Sequence, residues 1–294
     1  IENETNRMKF RLLASLLAAV LWITAFESDK PAYLLYEQNG AELDYTALVD
    51  SAAAADVILF GELHNNPIAH WLQLELIQDL HADTTSDITI GMEMFEADQQ
   101  ILIDEYFSGA ISNNSFESEA RLWNNYQTDY KPVLEFARSR GIPLIATNIP
   151  RRYASAVYRN GLEALDSLSA DAKEWIAPLP IEVDTTLQSY RNMSQAAHGH
   201  GGPNLIYSQA VKDATMAHFI LNNLDSGKTF VHLNGSYHSN DKEGIGWYLK
   251  RDRPDLSILT INTIQAEYPD SVDVEALKSA DFTIVVNSDM TKTY

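Results

Sequence analysis

Val57-Ile58-Leu59-Phe60-Gly61-Glu62-Leu63-His64-Asn65-Asn66-Pro67 is the stretch on which the fold turns. Four apolar residues in a row read as a strand buried on both faces. Asn66-Pro67 then opens a helix. In it Ile68, Trp71, Leu72, Leu76 and Leu80 fall on one stripe at helical spacing. A buried strand passing straight into a helix is half of a βαβ unit.

The alternation continues outward from this point. Residues 56–61 give the first strand, and residues 87–92, 143–146, 229–233, 256–261 and 282–286 read as five more. One intervening helix carries Val133, Leu134, Phe136 and Ala137 and closes at Gly141; another covers residues 208–224. Strands separated by helices predict an α/β fold, a mainly parallel sheet with helices on both faces. Residues 98–130 and 151–203 do not fit the rhythm. They are expected to be helical insertions that cover a crevice, within one domain at residues 28–294.

The net charge of -20 speaks against a nucleic-acid partner, which calls for a basic face, and against docking on anionic lipid. The chain has no cysteine, which excludes disulfides, iron–sulfur clusters and thiol catalysis. Lys9 and Arg11 precede an apolar stretch at 12–26 that only Ser15 and Thr24 interrupt. A short basic region before about fifteen apolar residues has the pattern of a secretory signal and is too short to span a membrane. Residues 1–27 are read as upstream sequence and signal peptide, with Met8 as the natural start. The mature protein is expected to be exported, to a periplasm or in association with a membrane.

Polar residues cluster just past the strands. The first strand delivers Glu62 and His64, the second Glu93, the third Asn148 and Arg151, and the fourth Asn234 and His238. Two of these segments share a Gly-x-x-His pattern, Gly61-Glu62-Leu63-His64 and Gly235-Ser236-Tyr237-His238. In an open α/β sheet ligands bind at the carboxyl ends of the strands. Glu62, His64, Glu93, Arg151 and His238 are therefore expected on one rim. Carboxylates set against apolar runs need partners, and His64, His238 and Arg151 are the candidates. Two imidazoles and two carboxylates match the ligand types of Zn²⁺ or Mn²⁺, with His64, His238 and Glu93 as ligands and one Glu left as general base. Arg151 is suited to a two-pronged contact with a carboxylate or phosphate. Plain His–Glu scaffolding of strand ends is the simpler use of the same residues.

These segments, in this order, resemble the ChaN-like haem-binding uptake proteins, of a superfamily shared with the Tiki metalloproteases, TraB proteins and erythromycin esterases. The resemblance runs from about Val57 to Leu249. It rests on Leu59 to Pro67, Gly91-Met92-Glu93-Met94-Phe95, Asp98-Gln99-Gln100, Tyr130 to Ala137, Asn148-Ile149-Pro150-Arg151, Gln209 to Ala217, and Asn234 to His238. It implies a parallel sheet flanked by helices plus a smaller helical subdomain, and haem held between two protomers, with a tyrosine of one chain on each iron and a histidine of the other at the propionates. It also implies a role in iron acquisition, with an outer-membrane haem-uptake receptor as a further partner. Members are typically lipoproteins; this chain has no lipidation cysteine.

A ligand tyrosine needs positive charge nearby, because a free phenol has a pKa of about 10. Tyr153 follows Arg151-Arg152, a pair also suited to the propionates, and is the first candidate; Tyr158, Tyr190 and Tyr130 stand behind it. His198 and His200, in a glycine-rich loop, are the candidate histidines. Three functions follow: an exported haem-binding homodimer, a metal-dependent hydrolase using the strand-end Glu and His residues, and an interaction protein whose crevice is vestigial.

Overall fold

Among the described residues, which are 31–82, 87–197 and 202–294 of a computed structural model, eight strands form one sheet. They are β1 (Tyr33–Glu37), β2 (Glu42–Leu43), β3 (Val57–Glu62), β4 (Asp87–Glu96), β5 (Leu144–Asn148), β6 (Lys228–Gly235), β7 (Ile258–Ala266) and β8 (Phe282–Asn287). Their spatial order is β2-β1-β8-β7-β3-β6-β4-β5. The six strands from β3 to β8 run parallel, and β1 pairs antiparallel with both β8 and β2. This is the expected mainly parallel α/β sheet. The sequence reading missed the β1–β2 hairpin at its edge, because a two-residue strand leaves no alternation to detect.

The helices are α1 (Tyr45–Ala53), α2 (Pro67–Ala82), α3 (Gln100–Ser108), α4 (Asn113–Glu119), α5 (Lys131–Arg140), α6 (Arg151–Asn160), α7 (Ala170–Lys173), α8 (Gln188–Ala196), α9 (Gly202–Asn223), α10 (Ile245–Asp252) and α11 (Val274–Leu277). Period-two alternation of the strands sends side chains to both faces. Ile58 and Phe60 of β3, Ile90 and Met92 of β4 and Val231 and Leu233 of β6 pack with Leu72, Leu76 and Leu80 of α2 and Val133 and Leu134 of α5. Val57, Leu59 and Phe230 face the other way, onto Ala214, Met216 and Ile220 of α9 and Ile245 and Leu249 of α10. Both faces are covered, as continuous apolar strands require.

Three local expectations need correction. Trp71 does not join the buried stripe of α2. It is 44% exposed and meets Tyr33 edge-on at 6.0 Å. His70 and Gln73 are buried instead, because both are engaged around Glu62; that turns Trp71 outward. Strand β4 continues to Glu96 through a register shift between Met92 and Glu96. Helix α9 starts at Gly202, earlier than residue 208, with Pro203 in its first turn, where a missing N–H costs nothing.

Residues 98–130 hold α3, α4 and a π-helical turn at Tyr126–Tyr130. Residues 151–197 hold α6, α7 and α8, and α9 follows. α6 packs on α9 through a small core of Ile149, Ala154, Val157, Leu165, Ile176 and Val211. The signal segment, His198 and His200 lie outside the described residues.

Candidate functional site

Two buried groups of charge meet at the carboxyl ends of β3, β4 and β6. The first is built on Glu62, the last residue of β3, which is 3% exposed. Its carboxylate accepts hydrogen bonds from Nδ1 of His64 (2.9 Å), Nε2 of Gln73 (2.6 Å) and the hydroxyl of Tyr130 (2.5 Å). Burial raises the pKa of such a group, but here His70, His64 and Tyr130 outweigh it and hold Glu62 below its ordinary range. His70 backs the group: Nδ1 meets Gln73 Oε1 at 3.0 Å and Nε2 meets the His64 carbonyl at 3.1 Å. His70 and Gln73 stand three residues apart on α2, so one helix face delivers both.

The second group is built on Glu93 of β4. One oxygen accepts from the Gly235 N–H (2.7 Å) and the other faces His238 Nε2 at 3.2 Å. On the far side of the ring, Nδ1 of His238 donates to Asp213. Asp213 is fully buried and also accepts from the Tyr190 hydroxyl at 2.8 Å. Burial alone lowers the pKa of His238, yet the charges of Glu93 and Asp213 push it up to about 10. The ring is thus an imidazolium clasped between two carboxylates. Burial raises the pKa of Asp213 despite His238, whereas Glu93 is held well below its ordinary range. Glu93 therefore carries the firmer negative charge.

Gly235 is where the two groups touch. A Cβ there would lie 2.7 Å from Cε1 of His64 and 3.6 Å from Glu93 Oε2. Only glycine leaves room for the His64 ring beside the β6 backbone. Burial pulls the pKa of His64 down, but its bond to Glu62 and the charges of Glu93 and Glu62 raise it overall. The His64 side chain remains 40% exposed, and its ring meets Trp123 edge-on at 4.9 Å.

A cleft of about 450 Å³ opens beside Glu93, within the range of small-molecule sites. Its walls come from β4, Trp123, the end of β5, α6 and α9, and include Arg151, Ser155, Tyr158, Arg159, Ser208 and Lys212. Asn148, at the end of β5, donates to the Glu93 carbonyl (3.0 Å) and leaves its own buried Oδ1 without a partner at the cleft wall.

The structure thus brings Glu62, His64, Glu93 and His238 together, with Arg151 across the cleft. Arg151 partners neither Glu62 nor Glu93. Its Nε donates to Glu96 at 2.5 Å, and Arg121 holds the other oxygen of Glu96. The lengthening of β4 is the reason, since it supplies a carboxylate nearer to Arg151. Arg152 lies away from the cleft, bonded to Asp98 (2.5 Å) and stacked on Tyr153 at 4.4 Å. Tyr153 is half-buried against the α6 core, and its hydroxyl accepts from Arg152 at 3.2 Å. Tyr130 and Tyr190 are buried and donate to carboxylates, and burial with those charges drives both phenols far upward. Neither presents a phenolate. Tyr158 is 44% exposed and lines the cleft.

The Zn²⁺ or Mn²⁺ site expected of His64, His238 and Glu93 does not fit this donor set. Both ring nitrogens of His238 face carboxylates, so no lone pair remains for a metal. Among the described residues no group of three or more His, Asp or Glu side chains is arranged to hold an ion.

Asp213, Gln209, Gln73 and His70 were not anticipated as site residues. Gln209 and Asp213 stand four apart on α9, and Gln209 Nε2 meets His238 Nδ1 at 3.0 Å. A polar pair at that spacing within an otherwise apolar helix face was the signal available.

A family model described as "Haem-binding uptake, Tiki superfamily, ChaN" matches residues 48–249. Among solved structures, ChaN of Campylobacter jejuni, reported with cofacial haem binding, is similar at a TM-score of 0.64 and 17% identity, over 87% of this chain and 97% of that one. Erythromycin esterase EreC is similar at a TM-score of 0.44 and 14% identity, over 83% and 78%. The chloroplast protein RETICULATA-RELATED 5 of Arabidopsis thaliana is 23% identical over 141 residues; the match takes in 46% of this chain and only 19% of that protein's length.

Proposed function

The chain belongs to the haem-binding uptake family of the Tiki superfamily, the family of ChaN, and from that premise we propose that it holds ferric haem through a tyrosinate between two copies of itself. The observation that carries the reading is Tyr158, exposed on the wall of a cleft that also presents Arg151, Arg159 and Lys212. A phenolate is an oxygen ligand used for ferric haem. The donor set suits haem: a phenol for the iron and cations for the carboxylates. Tyr158 is preferred over Tyr153 because the Tyr153 hydroxyl is already engaged by Arg152.

Bound haem supplies a ferric centre whose visible spectrum reports its ligand. The cofacial binding of the Campylobacter jejuni ChaN supports a homodimer, with His198 or His200 of one copy reaching the propionates held by the other. The proposed setting is haem-iron acquisition outside the cytoplasm, alongside an outer-membrane haem-uptake receptor. Among the described residues no helix is long and apolar enough to cross a membrane.

Haemin titration followed by visible spectroscopy tests this. Tyr158→Phe is expected to weaken binding about tenfold, about 1.4 kcal/mol, and to remove the tyrosinate bands. Tyr153→Phe is expected to leave both near wild type. Sedimentation with and without haemin reads the dimer. An unchanged spectrum in Tyr158→Phe removes that residue as ligand.

His64 favours a second reading. Its Nδ1–H donates to an ionised Glu62, and its Nε2 lies beside Gly235 next to the Glu93–His238 pair. That is the arrangement of a general base, so the hydrolase reading runs on acid–base chemistry rather than on a metal. Activated esters and peptides are the assay: His64→Asn is expected to cut turnover about 100-fold, and a wild-type rate equal to that of buffer rules the reading out.

A further inference from the structure

We infer that Arg151, Arg159 and Lys212 form a dicarboxylate-recognition wall, so that the cleft selects a porphyrin by its two propionates and not by iron coordination alone. The inference rests on the haem reading above and adds specificity-determining residues to it.

The wall is built from two helix stripes. Helix α6 presents Arg151, Ser155, Tyr158 and Arg159 at i, i+4, i+7 and i+8, while Val157 is buried away from the cleft. Helix α9 presents Ser208 and Lys212 at i and i+4, next to Asp213, which accepts from His238. The cleft therefore shares α9 with the buried imidazolium.

Charge complementarity fixes the ligand class. The chain carries 41 acidic and 21 basic residues, yet this wall holds three cations. The two carboxylates that also line the cleft are already spent: Glu93 on His238 and the Gly235 N–H, Glu96 on Arg121 and on Nε of Arg151. Arg159 and Lys212 make no ion pair among the described residues. Arg151 uses only Nε on Glu96, and its side chain is 60% exposed. The missing charge is an anion, and two separate cationic positions suit two carboxylates on one planar molecule better than a single one. Arg159 also lies in the last turn of α6, where a cation suits the helix end; that effect is indifferent to the ligand and separable from recognition.

The test compares haemin with its dimethyl ester, and with iron-free protoporphyrin, on the full chain. Wild type is expected to bind haemin about tenfold more tightly than the ester and to retain the iron-free dicarboxylate. Arg159→Gln with Lys212→Gln is expected to weaken haemin about tenfold and to bring haemin and ester within about twofold of each other. Both positions are polar and on the cleft surface, and an unchanged circular dichroism melt confirms the fold. Tyr158→Phe alters the spectrum but keeps the preference for the free acid. A double variant that keeps that preference, or a wild type that treats acid and ester alike, overturns the wall while leaving haem binding in place. A wild type that binds no haemin overturns the haem reading and this inference with it.

Discussion

His238→Leu is expected to lower the free energy of unfolding by about 3–5 kcal/mol, the usual cost of removing one partner from a buried ion pair. The ring is clasped between Asp213 and Glu93, all three groups lie nearly or fully out of solvent, and Gln209 and Tyr190 complete the surround. Without the imidazolium two buried carboxylates face each other. Adding Asp213→Asn and Glu93→Gln to His238→Leu is expected to recover much of the loss, because no uncompensated charge then remains. Urea unfolding measures both, and a loss below about 1 kcal/mol in the single variant contradicts the buried imidazolium.

The pH dependence carries the same sign. His238 is raised from 6.5 to about 10, with its two carboxylate neighbours overriding burial. Its contribution is complete below the unfolded value of 6.5 and fades as pH climbs toward 10. Glu93 is lowered from 4.5, so its contribution is present above that value and is lost as pH falls through the folded one. Wild-type stability is expected to decline on the alkaline side between those His238 limits. The leucine variant lacks that decline.

Glu62→Gln comes next in size, at about 2–4 kcal/mol, since hydrogen bonds to an ionised acceptor carry about 1.5–3 kcal/mol each. His64, Gln73 and Tyr130 all donate to this carboxylate. A glutamine keeps one acceptor and turns an N–H toward a donor. The His64 titration moves too. Burial already pulls His64 down, and without the Glu62 charge the remaining upward influence is Glu93, so its pKa is expected to fall. Nuclear magnetic resonance titration of the imidazole reads this directly. An unmoved His64 means that Glu62 is not its partner.

The strand-end carboxylates were legible because Glu62 and Glu93 adjoin apolar runs and had to find partners. The two Gly-x-x-His segments supplied them, His64 for Glu62 and His238 for Glu93. The partner of Arg151 was not legible. It depended on an irregular lengthening of β4 to Glu96, which apolar patterning does not encode. Asp213 and Gln209 were hidden for a related reason. They sit in the middle of α9 and become site residues only because that helix packs along β5 and meets His238 in the turn that follows β6. Trp71 was assigned to the core by its spacing, and the hydrogen bonding of His70 and Gln73 around Glu62 turned it outward.

The sequence by itself determined the parallel α/β sheet and the ends of the strands that carry the chemistry. Apolar run length and periodicity are local, and they are read without knowing any neighbour. Only the tertiary structure decided which charge meets which, that Tyr158 rather than Tyr153 faces the cleft, and that α6 and α9 share a cationic wall. Those outcomes depend on helix rotation and on contacts between residues far apart in the chain, and a linear pattern holds no record of either.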